Sequence, residues 1–470
     1  MRVVHVSSEV APFAQSGGLA DVVSGLPAAQ AEAHGLDVGV IVPMYRGVAE
    51  RLADTGLAFD RSVPLSFQLG VHALSGALRI AKVGRVQYGF VDLPALYDRP
   101  GNLYGPGGAG EWSDNHVRFA ALGRAAIAGA AALLGGAADV VHAHDWQGGP
   151  AALFARIAAG TDLRPPAIIT TIHNLAYRGI FPKSVMDELG LPWSWFTQQR
   201  LEFYDQVSFL KAGLAAADVA TTVSPSYAQE ILTPQFGEVL DGFLRWDIKR
   251  LVGIVNGIDA RAWAPGRDAL AKKPAIRAAL AAEMGLPPPA ANEPLLGVIA
   301  RMTGQKGLDL VADIVPDLEA LGARMVVLGA GEPDLEDRFR WLAKQFPDRI
   351  ATRIGFDLGL ARRIYAGTDL FVMPSRFEPC GLGQLYAMRF GSLPVVHAVG
   401  GLRDTVTDGV TGFQFEGADA PSLRAALARA VALYGDRAAF ASLQSNAMAR
   451  DSSWNASALA YVQLYRSLRA

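Results

Sequence analysis

Two glycine-rich turns, each beside a predicted strand, are the residues of this sequence best suited to hold an anion. The first spans residues 16–21 (SGGLAD), and the second spans residues 378–383 (EPCGLG). A glycine turn at the start of a helix offers backbone N–H groups and the positive end of the helix dipole. Because the turns lie in different halves of the chain, they predict a diphosphate held between two domains. For the first turn, the alternative is an ordinary strand-to-helix connection.

Two cations frame a third turn in the second half of the chain. Arg301 and Lys306 lie in the sequence RMTGQKG at residues 301–307, directly after a predicted strand. The planar fork of arginine and the compact charge of lysine can converge on one oxyanion. The alternative is a pair of solvated surface charges. Their position after a strand favours a phosphate ligand.

A carboxylate, Glu378, opens the second glycine turn and precedes the helix predicted after it. An acidic residue in this position either caps the helix or accepts hydrogen bonds from sugar hydroxyls beside a bound phosphate. The residues alone leave both interpretations open.

Polar side chains end two neighbouring predicted strands of the first half. His142, His144 and Asp145 end the first of these strands, and His173 ends the second. Strand alternation places His142 and His144 on one side, but a zinc site needs three or four ligands and no others are evident. We therefore expect no metal, and we expect Asp145 to lie in a cleft. His173 is either a hydrogen-bonded core residue or a functional one.

The composition indicates two domains and no strongly charged surface. The chain has 470 residues, 51% of them hydrophobic, and a formal net charge of -2. This length fits two domains of roughly 200 residues or more each. The near-neutral charge gives no reason to expect nucleic acid or an anionic membrane as a partner.

The single cysteine and the chain start indicate the compartment. Cys380 is the one cysteine, which excludes an internal disulfide and fits a reducing environment. The first residues resemble a strand and show no signal or transit peptide. The apolar run at residues 125–138 is shorter than the roughly 20 residues that a membrane span needs. We therefore expect a soluble cytoplasmic protein in which this run is a core helix.

Short apolar runs alternate with longer helical stretches along the whole chain. The predicted strands comprise residues 3–7, 38–42, 86–92, 139–144, 168–173 and 219–224, then 295–300, 324–328, 350–355, 370–373 and 393–397. Near-continuous hydrophobic runs are typical of parallel strands that are buried on both faces. The pattern predicts an α/β protein with two Rossmann-like, doubly wound domains.

The predicted domains comprise residues 1–245 and 246–453, and a final helix at residues 454–470 is expected to pack on the first domain. The proline-rich stretch at residues 264–294 is interpreted as a surface excursion of the second domain. The sequence GPGGAG at residues 105–110 matches the dinucleotide-binding pattern but does not directly follow a strand, so we interpret it as a flexible loop.

A set of short motifs recurs in order over nearly the whole chain. They are SSE (7–9), GGLAD (17–21), LYDRPG (96–101), HAHDW (142–146), HNLAY (173–177), SFLKAG (208–213), VSP (223–225), NGID (256–259), QKGLDL (305–310), LGAG (328–331) and SRFEPCGL (375–382). This ordered set resembles the family of bacterial glycogen synthases and plant starch synthases. The resemblance implies the GT-B fold, in which two Rossmann-like domains face each other across a cleft.

The same resemblance implies an activity and its substrates. Members transfer glucose from ADP-glucose to the non-reducing 4-hydroxyl end of an α-1,4-glucan such as glycogen, with retention of configuration. The resemblance also implies that the reaction uses no metal. It implies no cofactor, since ADP-glucose is consumed as a substrate. Oligomeric state and regulation do not follow from it.

The resemblance also assigns residues by their position in these motifs. Donor binding falls to Gln15, Gly17, Gly18, Arg301, Lys306, Phe356, Cys380, Gly381, Leu382 and Gly383. The catalytic set comprises Glu378, His173, Arg301, Lys306 and Asp145, and the glucan side comprises Asp21, Tyr97 and Asp145. Phe356 is expected to stack on adenine, and His173 is expected beside the anomeric carbon and the 6-hydroxyl of the donor glucose.

Three positions depart from patterns of the family or of related transferases. Gln15 stands where the family usually has a lysine that touches the donor phosphates, and Gly383 stands where a hydroxyl residue is common. Tyr386 stands where many related transferases carry a second glutamate, so a double displacement is not expected. The alternatives are a glucan-binding paralogue without turnover, a glucosyltransferase with another donor or acceptor, and a metal hydrolase that uses His142 and His144.

Overall fold

The computed structural model describes residues 1–107, 110–161 and 165–469, and the chain forms two compact units. The first unit comprises Met1–Gly257 and Ser453–Ala470, and the second comprises Ile258–Ser452. The sequence placed the boundary after residue 245. The first unit extends to Gly257 because Leu251–Gly253 adds a parallel strand to its sheet.

The first unit contains twelve strands and ten α-helices among the residues that the structure describes. Its strands are β1 (Arg2–Val6), β2 (Asp37–Pro43), β3 (Arg61–Leu69), β4 (His72–Val83), β5 (Val86–Asp92), β6 (Val140–His144), β7 (Ala167–Ile172), β8 (Ile180–Pro182), β9 (Glu202–Phe203), β10 (Gln206–Ser208), β11 (Val219–Thr222) and β12 (Leu251–Gly253). Its helices are α1 (Gly18–Glu32), α2 (Val48–Asp54), α3 (Pro94–Tyr97), α4 (Asn115–Leu134), α5 (Asp145–Ala158), α6 (Val185–Glu188), α7 (Phe209–Ala216), α8 (Pro225–Glu230), α9 (Asp241–Trp246) and the last helix of the chain.

The second unit supplies the remaining elements. Its strands are β13 (Leu295–Ile299), β14 (Arg324–Gly329), β15 (Ile350–Ile354), β16 (Leu370–Met373), β17 (Leu393–His397) and β18 (Phe413–Phe415). Its helices are α10 (Ala269–Glu283), α11 (Leu308–Ile314), α12 (Leu318–Leu321), α13 (Pro333–Gln345), α14 (Leu358–Gly367), α15 (Gly383–Arg389), α16 (Gly400–Thr405), α17 (Ala420–Gly435) and α18 (Arg437–Ala449). The chain ends in α19 (Trp454–Arg469), which belongs to the first unit.

The first unit is built on a nine-stranded sheet in the order β12-β11-β7-β6-β1-β2-β5-β4-β3. The six strands predicted for this half are confirmed, and they pair in parallel, buried on both faces. The antiparallel hairpin of β3 and β4 was not predicted. Its residues alternate between exposed and buried positions, a period of two that differs from the continuous apolar runs of parallel strands.

The second unit has a six-stranded parallel sheet in the order β15-β14-β13-β16-β17-β18. The five predicted strands of this half are confirmed as β13 to β17, and the edge strand β18 is too short to show a pattern. The proline-rich stretch lies within the second unit and contains α10, with Pro274 inside the helix. Lys273 of α10 is buried and donates hydrogen bonds to the carbonyls of Ala366 and Phe390, which anchor the helix.

The long apolar helix α4 is a core element of the first unit. It begins at Asn115, before the predicted run, and ends at the left-handed Gly135 (φ 67). Within the described residues, α4 is the one helix that is long and apolar enough to cross a membrane, yet 67% of its most apolar window is buried in the fold. That burial matches the expected core helix. Residues 108 and 109 of the GPGGAG loop lie outside the described part of the chain.

The C-terminal helix α19 packs on α1 and reaches β7 of the first unit. Its inner face buries Trp454, Tyr461 and Tyr465, and the edge of Trp454 lies against Gly25 of α1, where a Cβ atom would not fit. The last residues of the chain therefore contribute to the core of the unit that contains its first strand.

Candidate functional site

A buried glutamate holds the first glycine turn. One carboxylate oxygen of Glu9 accepts hydrogen bonds from the backbone N–H groups of Ser16 (2.7 Å) and Gly17 (3.1 Å). The other oxygen accepts from Ser16 Oγ and Tyr104 Oη, each at 2.5 Å. Glu9 is 4% exposed, so these hydrogen bonds hold the turn from its buried side. Sequence reasoning missed this role, although Glu9 lies in the SSE motif just after β1.

The exposed part of the same turn carries the residue that departs from the family pattern. Gln15, Gly17 and Gly18 are exposed, and the Gln15 side chain contacts Asp21 at 3.5 Å. Burial, together with the charge of Glu9, raises the pKa of Asp21 to about 6. An uncharged residue at position 15 therefore lies next to an acid that is partly protonated near neutrality. A lysine there would be attracted to the charged form of Asp21 as well as to phosphate.

The structure brings Asp145 and His173 together at the ends of β6 and β7. Asp145 starts α5 with a left-handed backbone (φ 53), and its Oδ1 accepts a hydrogen bond from the backbone N–H of His173 at 2.7 Å. Burial raises the pKa of Asp145 to about 7, although hydrogen bonds from the backbone of His173 and Asn174 oppose the shift. The strained backbone and the carboxyl group near its titration point are properties of a functional position.

The imidazole of His173 is half-buried and neutral. Burial lowers its pKa to about 3, and its Nε2 lies 2.9 Å from Nδ1 of the buried His144. Among the residues that the structure describes, no group forms a hydrogen bond with Nδ1 of His173. The sequence left a core role and a functional role open, and the ring combines a contact to the buried His144 on Nε2 with an Nδ1 that has no partner among the described residues.

Three buried histidines, His5, His142 and His144, lie close enough to suggest a metal site. One ring nitrogen from each lies within 4.8 Å of the others. The rings of His142 and His144 are stacked, however, with centroids 4.3 Å apart. All six ring nitrogens already have hydrogen-bond partners. His5 is the third candidate ligand that the sequence did not reveal, but stacked rings do not direct their lone pairs to a common point.

Tyr97 does not lie where the prediction requires. Its side chain is 1% exposed, and its hydroxyl donates a hydrogen bond to the carbonyl of Arg118 at 2.7 Å. In this conformation the ring is part of the core and cannot contact a glucan. Arg99, two residues further on in the LYDRPG motif, is partly exposed and forms an ion pair with Asp114 at 2.6 Å. Within this motif, Tyr97 is therefore buried, whereas Arg99 is partly exposed to solvent.

In the second unit, Lys306 and Glu378 form a direct pair. Lys306 Nζ lies 2.6 Å from Glu378 Oε2, and Ser375 Oγ donates to the same oxygen at 3.0 Å. Glu378 is 5% exposed. The turn after β13 and the turn after β16 thus place their charged residues together, and the ammonium group keeps further N–H donors for another anion.

Arg301 lies at the start of the same turn and is exposed. Within residues 1–107, 110–161 and 165–469, its guanidinium has no hydrogen bond or ion pair. Another arginine, Arg376, holds the turn by donating to the carbonyl of Gly304 and to Asp309, both at 2.7 Å. The sequence did not single out Arg376, and its location between Ser375 and Glu378 was the available signal.

The second glycine turn leads from Glu378 into α15, and Gln384 holds it. Gly381 is left-handed (φ 71), and a Cβ atom there would lie 2.6 Å from Gln384 Oε1. Gln384 Nε2 donates to the carbonyls of Cys380 and Gly381, each at 3.0 Å. The N–H groups of Gly381 and Leu382 have no internal acceptor in the described part of the chain. These two N–H groups can therefore donate to a ligand.

Phe356 is the most exposed large apolar side chain that the structure describes. It follows β15 and is 94% exposed. An exposed phenylalanine ring gains nothing from packing within the protein. Stacking on a planar ligand would explain its exposure. Its location matches the predicted contact with adenine, which stays a prediction.

This architecture defines the class of the protein. Two units with Rossmann-like sheets are the architecture of GT-B glycosyltransferases, and the family described as glycosyl transferases group 1 matches residues 293–432. The family described as starch synthase catalytic domain matches residues 2–246. A sucrose-phosphate synthase from Thermosynechococcus elongatus shares the fold, with a TM-score of 0.62 at 21% identity over 100% of this chain and 99% of that one.

Full-length relatives narrow this class to one family. The chain is 46% identical to a glycogen synthase of Anaeromyxobacter dehalogenans over 100% of both chains, and 44% identical to one of Cellvibrio japonicus over 99% of both. It is 31% identical to the catalytic domain of starch synthase IV from Arabidopsis thaliana bound to ADP and acarbose, with a TM-score of 0.86 over 100% of this chain and 99% of that one. The chain belongs to the glycogen and starch synthase family of glycosyltransferases.

Proposed function

We propose that this protein elongates an α-1,4-glucan such as glycogen by transferring glucose from ADP-glucose to a non-reducing 4-hydroxyl group, with retention of configuration. We propose further that it acts in the cytoplasm with no metal and no separate cofactor. The observation that carries the proposal is the Lys306–Glu378 pair, in which Lys306 belongs to the turn that starts at the exposed Arg301. This arrangement joins two cations for a diphosphate to a carboxylate for sugar hydroxyls.

The two cations act on the leaving group. When the bond between glucose C1 and the phosphate oxygen breaks, positive charge develops on the sugar and negative charge on the departing ADP. Arg301, Lys306 and the N–H groups of the turn at Gly381 stabilise that negative charge. Fixed donors of this kind stabilise the transition state more than the bound substrate, because this negative charge develops only as the bond breaks.

The residues favour a front-side reaction over a double displacement. A retaining double displacement needs two carboxyl groups about 5–5.5 Å apart. At the position where related transferases carry a second glutamate, Tyr386 stacks on Trp263 with ring centroids 4.0 Å apart. We propose that the acceptor hydroxyl attacks from the face that ADP leaves, and that the departing phosphate oxygen takes its proton.

In the first unit, we propose that Asp145 and His173 act at the glucose of the donor. The carboxyl group of Asp145 holds the backbone of His173 in place, and the His173 ring lies beside the donor glucose. The lowered pKa of His173 keeps this ring uncharged at neutral pH, so it does not repel the positive charge that develops on the sugar.

A donor panel tests the function directly. Radiolabelled ADP-, UDP- and GDP-glucose are each incubated with glycogen, with and without a strong chelator. We expect incorporation from ADP-glucose at least about 10-fold above the other donors, since one lost base contact costs about 1.4 kcal/mol or more. The chelator should leave the rate unchanged. Glycogen binding without incorporation would favour the paralogue, preference for another donor would favour the related transferase, and loss of activity with the chelator would favour a metal enzyme.

Gln15→Lys tests the departure in the first glycine turn. Restoring a cation at this exposed position adds a charge-assisted contact to the donor phosphates, so we expect KM for ADP-glucose to fall by about 3-fold to 10-fold with kcat little changed. Gln15→Met is the matched control, because it keeps the length of the side chain without the charge. A KM in Gln15→Lys that is unchanged or higher would show that another residue compensates.

A further inference from the structure

A continuous chain of hydrogen bonds runs through the buried centre of the first unit and ends on His173. His173 Nε2 lies 2.9 Å from His144 Nδ1, and His144 Nε2 lies 2.9 Å from His5 Nδ1. His5 Nε2 in turn lies 2.8 Å from the carbonyl oxygen of the Gln30 side chain. Gln30, His5 and His144 are fully buried, so water does not replace any of these contacts.

The carbonyl oxygen of Gln30 fixes which nitrogen carries the proton in each ring. An amide oxygen can only accept a hydrogen bond, so His5 Nε2 must donate, and His5 Nδ1 is then the acceptor of a neutral ring. His144 must therefore donate from Nε2 to His5 and accept at Nδ1. His173 must in turn donate from Nε2 to His144, which leaves its Nδ1 with a lone pair.

This reasoning requires each ring to carry one proton, and burial ensures that it does. Burial lowers the pKa of His5 to about 4 and that of His173 to about 3. Burial lowers the pKa of His144 well below its usual value, and the neighbouring histidines act in the same direction. The three rings are therefore neutral over the pH range in which enzymes normally work.

The other end of Gln30 is held by a second set of bonds. Gln30 Nε2 donates to Tyr465 Oη at 3.0 Å, and Tyr465 Oη lies 2.7 Å from His142 Nδ1. His142 Nε2 lies 2.6 Å from Thr171 Oγ1, which lies 2.6 Å from Thr221 Oγ1. A single direction of donation satisfies every link. The C-terminal helix α19, through Tyr465, thus holds the amide group of Gln30 in its orientation.

We infer that Gln30 is a positioning residue, which acts through His5 and His144 to hold His173 as the Nε2–H tautomer with Nδ1 as a hydrogen-bond acceptor. The ring of His173 then favours a sugar that offers an O–H donor at this point. Under the proposed function, on which this last step rests, that donor is the 6-hydroxyl group of the transferred glucose. A sugar with a carboxylate at C6 would face the lone pair and be repelled.

The tautomer is measurable in the protein as it exists, without any ligand. The enzyme is labelled with 15N-histidine, and long-range proton–nitrogen spectra show which ring nitrogens are protonated, with His173→Gln used to assign its signals. We expect protonated Nε2 and unprotonated Nδ1 in His5, His144 and His173. Protonated Nδ1 in His173, as the reverse direction of donation would give, overturns the inference whether or not the enzyme transfers glucose.

Gln30→Met tests whether Gln30 sets the tautomer. Methionine fills a similar volume and removes both the acceptor for His5 and the donor for Tyr465. We expect Nδ1 of His173 to become protonated in a measurable fraction of the molecules. The matched control is Gln444→Met in the second unit, which removes a buried hydrogen bond to the carbonyl of Gly391 without touching this chain. A His173 tautomer that is unchanged in Gln30→Met overturns the inference.

The kinetic readout compares ADP-glucose with its 6-deoxy and 6-deoxy-6-fluoro analogues. We expect wild-type enzyme to prefer ADP-glucose over both analogues about 10-fold or more in kcat/KM, because neither analogue donates a hydrogen bond to Nδ1. In Gln30→Met this preference should fall toward unity, while in Gln444→Met it should stay. A wild-type enzyme that accepts the fluoro analogue as well as ADP-glucose would contradict the acceptor role of Nδ1. A total lack of transfer would contradict the proposed function instead, leaving the spectroscopic result intact.

Discussion

Lys306→Met is expected to lower kcat by about 10²-fold to 10³-fold, because it removes one fixed donor from the charge that develops on departing ADP. It is also expected to lower the unfolding temperature. The carboxylate of Glu378 is almost fully buried and would keep Ser375 Oγ as a partner but lose its cation. Breaking one side of a buried ion pair typically costs about 3–5 kcal/mol.

Two further variants separate the role of the charge from that of the fold. In Lys306→Met with Glu378→Gln, the buried charge is gone, so stability should return toward wild type while transfer stays low. Lys344→Met is the control, because Lys344 is an exposed lysine of α13. Wild-type kcat in Lys306→Met, measured by incorporation of labelled glucose into glycogen, would contradict the assignment of the diphosphate site.

Asp145→Asn is expected to stabilise the fold above neutral pH while it impairs transfer. The pKa of Asp145 is raised from 3.8 to about 7, so at pH 8 its ionised carboxylate costs the folded state about 4 kcal/mol at most. Asparagine carries no charge, tolerates the left-handed backbone, and can still accept the hydrogen bond from His173. Its amide group leaves the N–H of Asn174 unsatisfied, which offsets about 1–3 kcal/mol of the gain.

The pH dependence follows from the direction of this shift. Between about pH 4 and pH 7, folded Asp145 holds a proton that the unfolded chain has released, so the free energy of unfolding falls as pH rises through this window. We therefore expect Asp145→Asn to melt about 2–8 °C above wild type at pH 8, with this advantage falling as the pH is lowered and lost near pH 4. Asp348→Asn, at an exposed position, should show no such trend. Equal melting curves at pH 8 would contradict the burial of a charged Asp145.

The predictable part of this molecule is the part that depends on local pattern. Continuous apolar runs predicted the parallel strands, and the carboxyl ends of two neighbouring strands placed Asp145 and His173 at one edge, where the structure has them in contact. In the second unit, the residues alone predicted a phosphate site at Arg301 and Lys306 and left the role of Glu378 open, and the structure adds the direct pair of Lys306 with Glu378. Two strands that follow one another in the chain fix the first placement, whereas the Lys306–Glu378 pair depends on the pairing of β13 with β16, which are far apart in the chain.

The parts that the sequence did not reveal depend on contacts between residues far apart in the chain. Glu9, which holds the first turn, accepts a hydrogen bond from Tyr104, a residue far from it in the chain. Neither residue lies in a local pattern that predicts this contact. His5 joins His142 and His144 through strand register between β1 and β6. Tyr97 was expected to contact glucan from its position in the LYDRPG motif, but its side chain is buried and its hydroxyl donates to the carbonyl of Arg118, which the motif alone does not show.

The central claim is that the second unit receives the nucleotide diphosphate at the Lys306–Glu378 pair. A crystal structure of the protein with ADP tests it most directly. We predict phosphate oxygens within hydrogen-bond distance of the side chains of Arg301 and Lys306 and of the N–H groups at residues 381–383, with adenine against the ring of Phe356. ADP bound at any other position, with no phosphate oxygen near Arg301 or Lys306, would contradict the account.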